Sequence, residues 1–436
     1  MAKAEDIYIG LRDGQSYVYS KQGHGLIIAG TRAGKGTKFI MPNLLGKAQY
    51  DGSWVIVDPK GESYWATHEY HRKQKRKVVI INPWGVKGKG EDLGTDTFNP
   101  LDAFTKDPGR KSLGNDMRVV AESLIPIQDK KSESSHFNDR ARTLIIAMLM
   151  HMIIAPKYEG NRKISTLFEW LSRIEEVLTE MTQQKPSEYI KNQFLVSTYA
   201  LQFLELLSKG EREFSSVIST AQRAVETFSD WELQDTMASS THEGKPFTVT
   251  DLASKKMIIY IVIPPENLRT HSNWLRLIVS SCIRSILRKP GHRVGFILDE
   301  FYALGYMRDI EVGMGAYAGY NISLFPILQN LTQLQDRYPK TWETFLANVA
   351  FFNAFGLNDK TTTEYISKVA GQTSNVFFQN FWKSTARDLI TPDEVRRGSA
   401  NTIFSFIDRK PVANLDHLDW LYDPDIAHKG NKDRMY

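Results

Sequence analysis

Six segments of the chain read as strands, and most are continuous apolar runs: Gly25 to Ala29, Ser53 to Val57, Lys77 to Ile81, Met257 to Ile263, Val294 to Leu298 and Ile322 to Leu328. A strand with one wet face alternates apolar and polar residues, whereas a strand covered on both faces does not. The pattern predicts a mainly parallel sheet with helices on both sides, an α/β fold. Pro326 argues against its own segment, because proline removes a ladder donor. From about Leu113 to Glu243 the spacing becomes helical, in Arg140 to Ile154, Ser165 to Met181, Gln193 to Leu207 and Phe214 to Phe228, with no convincing strand. At 436 residues the chain is long enough for roughly three domain-sized units. The expected organisation is a core in two parts, residues 1–112 and 246–436, around an all-α insertion at 113–245. Breakers mark the joins: Asn99-Pro100 and Asp107-Pro108-Gly109 before the insertion, Gly244-Lys245-Pro246 after it. No repeat at solenoid periods is evident, and the short polar tail after Asp423 is expected to fray.

Several classes are excluded early. Hydrophobic residues at 42% and charged residues at 24% match ordinary globular usage and argue against disorder. Cys282 is the only cysteine, so an internal disulfide or a thiolate-rich metal site is ruled out and a reducing compartment suits the chain. The longest apolar run, Leu144 to Ile154, contains His151 and falls short of the ~20 residues of a membrane span. Charges at Glu5, Asp6, Arg12 and Asp13 break any signal-peptide core. A formal net charge of +5 is too small over this length to establish a nucleic-acid partner.

The chemistry begins where the run Gly25 to Ala29 enters Gly30-Thr31-Arg32-Ala33-Gly34-Lys35-Gly36-Thr37, followed by a helical stretch through Leu45. A turn of small residues lets backbone N–H groups converge on phosphate oxygens, the next helix aims its positive end at them, and Lys35 neutralises β/γ charge. Two departures from the G-x-x-x-x-G-K-[ST] pattern stand out: Ala29 takes the place of the first glycine, and Gly36 that of the metal-binding hydroxyl. Thr37 could supply a hydroxyl to the metal through water, or to the α-phosphate. Further along, Val294 to Leu298 ends in Asp299-Glu300. Beside a phosphate loop, Asp299 would hold Mg²⁺ through water and Glu300 would act as general base on the attacking water. Gln329 follows the run Ile322 to Leu328, at the strand end where open α/β sheets place ligands, and is the candidate γ-phosphate sensor. Together these segments point to ATP with Mg²⁺.

These residues resemble the ATPase coupling proteins of conjugation and type IV secretion, the TraG/TraD-like group. The likeness is carried by Gly34-Lys35-Gly36, Pro42-Asn43-Leu44-Leu45, Asp58-Pro59-Lys60-Gly61-Glu62, Asn99-Pro100-Leu101-Asp102, Ser216 to Ala221, Leu298-Asp299-Glu300-Phe301 with Ala303-Leu304-Gly305, Gln329 to Leu334 and Thr391 to Glu394. The Asp58 to Glu62 run is the most discriminating, since generic P-loop enzymes lack it after their second strand. The resemblance implies a RecA-like motor domain interrupted by an all-helical domain, six copies in a ring, and an ATPase driving DNA, with relaxase-type or effector protein cargo, toward secretion-channel components. It implies a location at the cytoplasmic face of the inner membrane. Relatives have an amino-terminal transmembrane segment, so membrane contact here would come through a removed segment or another subunit. Where some relatives place a catalytic arginine, this chain has Ala316 to Tyr320; Arg308 and Arg387 are the candidate substitutes, and each reads better as a surface charge. Two other readings share the loop: a nucleotide-gated cargo-docking receptor, and a P-loop enzyme acting on a small molecule.

Other features are weaker. The basic run Arg72 to Lys77 could touch DNA phosphates but reads better as a solvated helix end. Tyr64, Trp65 and Tyr70 read as packing residues. His68-Glu69-Tyr70-His71 is one residue short of the zinc-protease spacing, and no G-x-S-x-G elbow occurs. His136, Phe137 and Arg140 read as a helix start.

Overall fold

The computed structural model describes residues 5–433 apart from 105–106, 108, 128–132, 184–189 and 377–383, so Pro108 of the expected breaker lies outside the described residues. The main sheet has eleven strands: β1 (Ile7–Arg12), β2 (Gln15–Tyr19), β3 (Gly25–Ala29), β4 (Ser53–Asp58), β5 (Lys77–Ile81), β6 (Met257–Val262), β7 (Val294–Leu298), β8 (Ile322–Leu328), β9 (Phe351–Phe355), β10 (Thr402–Ile407) and β11 (Ala413–Asp416). Their spatial order is β2-β1-β11-β10-β9-β3-β8-β7-β4-β6-β5. From β9 to β5 every pairing is parallel. From β9 outward through β10, β11, β1 and β2 every pairing is antiparallel. The sheet is therefore α/β and RecA-like in its parallel part, with an antiparallel extension that the apolar runs did not announce.

Alternation along each parallel strand explains the unbroken runs. In β4, Val55 and Val57 face one apolar cluster, while Trp54 and Ile56 face the other. Both faces are dry, so both registers are apolar. Pro326 lies within β8 opposite Leu298 of β7, and the β8–β3 ladder engages only Ile327 and Leu328, beyond the proline.

The block between the two core parts is helical: α3 (Leu113–Leu124), α4 (Glu133–Ile154), α5 (Ser165–Ser172), α6 (Ile174–Thr182), α7 (Ile190–Lys209), α8 (Glu211–Val225) and α9 (Trp231–Thr236). The single helix expected over 165–181 is two, because Arg173 at φ −130° and ψ 44° breaks it. The run expected to continue to Phe228 leaves α-geometry after Val225 and finishes as a 3₁₀ turn. Gly244 turns a two-residue hairpin that pairs Thr241–His242 with Lys245–Pro246. These helices have no separate core. One apolar cluster runs from Val55 and Ile81 of the sheet through Leu124 to Met148 and Phe203. Each such fully buried side chain contributes about 1.5–3 kcal/mol, so the block and the sheet stabilise one another.

The described part of the tail, through Asp433, is anchored rather than frayed. Leu418, Trp420 and Ile426 bury against Met41, Leu45 and Ala66. Lys47 bonds Asp423 and Asp425, each at 2.7 Å, and the Asn431 N–H donates to the Ala66 carbonyl at 2.9 Å. The polar letters of this segment concealed an apolar anchor spaced irregularly among them.

Candidate functional site

Everything singled out for phosphate chemistry lies at the carboxyl ends of neighbouring strands. β3 leads into the loop Gly30 to Lys35, and the helix after it opens as a π-turn (Gly36–Ile40) before α1 (Met41–Leu44). Local π geometry recurs at functional sites. The first turn of such a helix has N–H groups without intrahelical partners, which suits an anion.

Two conformational demands shape the loop. Gly34 has φ +85°, which glycine adopts without steric cost. Gly30 packs on the chain leaving β9: a Cβ there would lie 1.9 Å from the Gly356 carbonyl oxygen. The Gly30 N–H donates to the Phe355 carbonyl at 3.2 Å, and the Ala33 N–H donates back to Gly30 at 3.0 Å. Arg32 is exposed with φ +60°. Thr31 reaches Gln329, hydroxyl to side-chain oxygen, at 3.2 Å. The Thr37 hydroxyl donates to the Gly34 carbonyl at 3.2 Å, so it braces the loop. Gly36 has open space where a Cβ would stand, so the absent hydroxyl is not forced by crowding.

Lys35 is the centre of charge. Its ammonium lies 2.8 Å from Asp299 Oδ1 and is also paired with Glu300 Oε1. Burial pulls the Lys35 pKa down, but the two carboxylates outweigh it and hold the amine above its ordinary value. Glu300 adopts φ 57° and ψ 43°, a left-handed conformation costing about 1–2 kcal/mol for an ordinary side chain. The Glu300 N–H donates to Asp299 Oδ1 at 3.0 Å, and Gln329 Nε2 donates to Glu300 Oε2 at 3.4 Å. The loop, the acidic pair and the amide thus form one connected set.

Two further contributors belong here: Asp58, which the sequence singled out only within the discriminating Asp58 to Glu62 run, and Gly356, which the sequence reading missed. Asp58 ends β4, whose neighbour β7 ends just before Asp299; it is buried, and its Oδ2 accepts the Tyr64 N–H at 2.9 Å. Burial pushes its carboxyl up to about 7, against the Tyr64 and Ser63 N–H groups and with help from Glu62 and Asp299. Gly356 is the second, with φ +63° and its own Cβ position 2.2 Å from the Ala33 methyl. Its signal was an apolar run ending in glycine, Phe351 to Gly356, like the one that opens the phosphate loop.

Other candidates resolve differently. Arg308 lies 3.8 Å from Glu122, and Arg387 bonds Glu394 at 2.6 Å. Neither reaches the site in this chain. Thr391 to Glu394 form a capping box on the helix Pro392–Gly398. Arg76 of the basic run is spent on the Gly52 and Tyr50 carbonyls. Tyr64 packs edge-on to Tyr260, and the Trp65 indole donates to the Asp433 carbonyl. Among the described residues no group of three His, Cys, Asp or Glu could hold a metal, and no helix is long and apolar enough to cross a membrane. Asp299 and its neighbours suit a hard cation that keeps most of its waters and needs only one or two carboxylates.

A phosphate loop on a parallel strand, with a lysine facing two acids from a second strand, defines the P-loop class on a RecA-like α/β core. Comparison narrows the class: residues 2–434 match the model of the type IV secretory system conjugative DNA transfer family, and the chain belongs to that family. It is 24% identical over 440 residues to conjugal transfer protein TraG of Rhizobium radiobacter, covering 94% of this chain and 64% of that protein. It is 28% identical over 369 residues to VirD4 of Rhizobium radiobacter, covering 81% and 48%. The chain thus spans about half to two thirds of these relatives. Among solved structures, the conjugative coupling protein TrwBΔN70 superposes with a TM-score of 0.68 at 16% identity, over 98% of this chain and 92% of that one. TrwB with ADP and Mg²⁺ gives 0.64 at 16%, over 92% and 87%.

Proposed function

We propose that this chain is the ATP-hydrolysing coupling protein of a conjugation or type IV secretion system, which recruits DNA and attached protein and drives them toward the secretion channel. The observation that carries it is the convergence of Lys35, Asp299 and Glu300 at one strand edge beside the loop Gly30 to Thr37. The relatives' names and TrwB's recorded ADP and Mg²⁺ support the same reading.

In this proposal, backbone N–H groups from Gly30 to Thr37 cradle the phosphates and Lys35 exchanges its carboxylate partners for phosphate oxygens. Asp299 would hold Mg²⁺ through water. Bound there, the ion supplies charge neutralisation on the phosphate oxygens. Freed from Lys35, Glu300 orients water and accepts its proton, and Gln329, already bonded to Glu300, reports the γ end. The domain division at 112/113 and 245/246, a homohexameric ring and a position at the cytoplasmic face of the inner membrane belong to the same proposal.

The test is an ATPase assay with and without DNA across protein concentration. Turnover should rise with concentration and with DNA. Glu300→Gln should bind ATP and lose about 10²–10⁴ in turnover. Unchanged hydrolysis in that variant rejects Glu300 as the base; hydrolysis indifferent to DNA and to concentration favours a receptor or a small-molecule enzyme.

A further inference from the structure

The strand that leads into the phosphate loop, β3, lies between β8 and β9, and the two flanks of the loop are charged differently. Toward β8 and β7 lie Gln329, Asp299 and Glu300, and Lys35 turns to the two acids there. Toward β9 the loop meets Phe355 and Gly356, and the cation on that side is Lys38.

The Lys38 side chain folds back along the loop: a Cβ built on Gly34 would lie 3.1 Å from its Cε and 3.3 Å from its Cδ. The ammonium ends 5.7 Å from the centre of the Phe355 ring. The side chain is half-buried, and among the described residues it makes no hydrogen bond or ion pair. Burial pulls its pKa down, and Asp419 attracts it without closing to a pair. An ammonium that has given up water without gaining a carboxylate is held at a cost until an anion meets it. The same flank holds a second unsatisfied group. His417, just past β11, packs edge-on to Phe355 with ring centres 5.5 Å apart, and both its ring nitrogens are buried without a partner among the described residues. Burial and the nearby Lys38 push its pKa down to about 4, so the ring stays neutral beside the ammonium.

Position along the loop says which anion belongs there. With Gln329 and Glu300 at the γ end, as proposed above, the flank across the loop faces the nucleoside end, where the α-phosphate lies. Thr37, whose hydroxyl was a candidate for that phosphate, spends it on the Gly34 carbonyl, and Gly36 has no hydroxyl to offer. We propose that Lys38 binds the α-phosphate of a nucleoside di- or triphosphate. The inference deepens the ATP reading above and rests on it. The α-phosphate stays in place whether or not the γ-phosphate has left, so Lys38 supplies uniform binding rather than stabilisation of the transition state.

The test is isothermal titration calorimetry of the full chain with ADP and with a non-hydrolysable ATP analogue, beside steady-state ATPase kinetics. Lys38→Met should bind both nucleotides about tenfold more weakly, the scale of one hydrogen bond to a charged group, and Lys38→Arg should keep most of the affinity. KM for ATP should rise about tenfold in Lys38→Met with kcat within about twofold. Lys38→Gln repeats the measurement should Lys38→Met fail to fold. Lys73→Met removes the same charge from the exposed end of the helix Glu62–Lys73, which leads to the far edge of the sheet, and should change none of these quantities. Undiminished affinity for both nucleotides in Lys38→Met means that the lysine only packs on Phe355; it overturns the α-phosphate contact and leaves the ATP reading standing. So does an equal loss in Lys73→Met, which would make the effect one of overall charge. A loss for the ATP analogue but not for ADP, or a fall in kcat at unchanged KM, moves the contact to the γ end and overturns the assignment. Failure of the unmodified protein to bind either nucleotide overturns the ATP reading itself and the inference with it.

Discussion

The two halves of the sheet do different work. In the parallel half, β3, β8, β7 and β4 run the same way, so their carboxyl ends deliver Lys35, Gln329, Asp299, Glu300 and Asp58 to one edge. In the antiparallel half the chain turns back and forth, and the Tyr8 backbone of β1 holds the phosphate-loop helix from behind. Asn43 of that helix accepts the Tyr8 N–H at 2.9 Å and donates to the Tyr8 and Phe39 carbonyls at 3.0 and 2.8 Å. The comparison teaches that direction gathers chemistry, while reversal supplies the anchorage it needs.

The sharpest way to break this division is Lys35→Met. It should lower turnover by about 10²–10³, the usual cost of one preorganised electrostatic contact, and leave the antiparallel half folded, as circular dichroism would show. Loss of fold in that variant would mean the site is structural. Asn43→Leu acts on the other half: it strands buried backbone groups of β1 and should cost about 3 kcal/mol in urea denaturation. A cost below about 1 kcal/mol would deny the anchoring role.

His24 sits at the seam between the halves, its Nδ1 accepting the Leu324 N–H of β8 and its carbonyl accepting the Ala350 N–H just before β9. Burial, with Arg293 nearby, pushes its pKa down to about 4. The folded state therefore holds it neutral, and its contribution is present above pH ~6.5 and lost as pH falls toward 4, by about 3 kcal/mol. Asp58 runs the other way: raised to about 7, it favours the folded state more as pH falls from 7 toward 4. Thermal midpoints between pH 7 and 4.5 should fall less in His24→Gln than in the unmodified protein; parallel curves would refute the seam. The smallest effect belongs to Gly36→Ser, where nothing crowds the new Cβ. Its stability should stay within about 0.5 kcal/mol, with any change confined to Mg²⁺ dependence of turnover.

Legibility in the sequence followed the same boundary. Each of the six apolar runs became a strand of the parallel half, because being dry on both faces leaves a mark in the letters themselves. β9 left a blurred one. Its Asn353 is buried, donating to the Ile9 carbonyl and accepting the Ser405 hydroxyl, partners remote in the chain that no local pattern reveals. Of the other antiparallel strands, β2 lies at the sheet edge, β11 is only four residues long, and β1 and β10 mix Gly10, Arg12, Thr402 and Ser405 into their apolar letters. The residues at the site divide likewise. Lys35, Asp299, Glu300 and Gln329 could be nominated because their roles demand particular residue types at strand ends. Gly356 and Asp58 matter through what lies against them, and that neighbour is set only once the sheet is assembled.

The carboxyl-terminal strap over α1 has a practical consequence for dissection. A fragment ending near Asp416, just after β11, would retain every group named for phosphate chemistry, yet Met41 and Leu45 would be bared and Lys47 stripped of its acids. Silence from such a fragment would report a lost buttress rather than a missing reagent, and deletion mapping across this stretch would misplace the catalytic machinery.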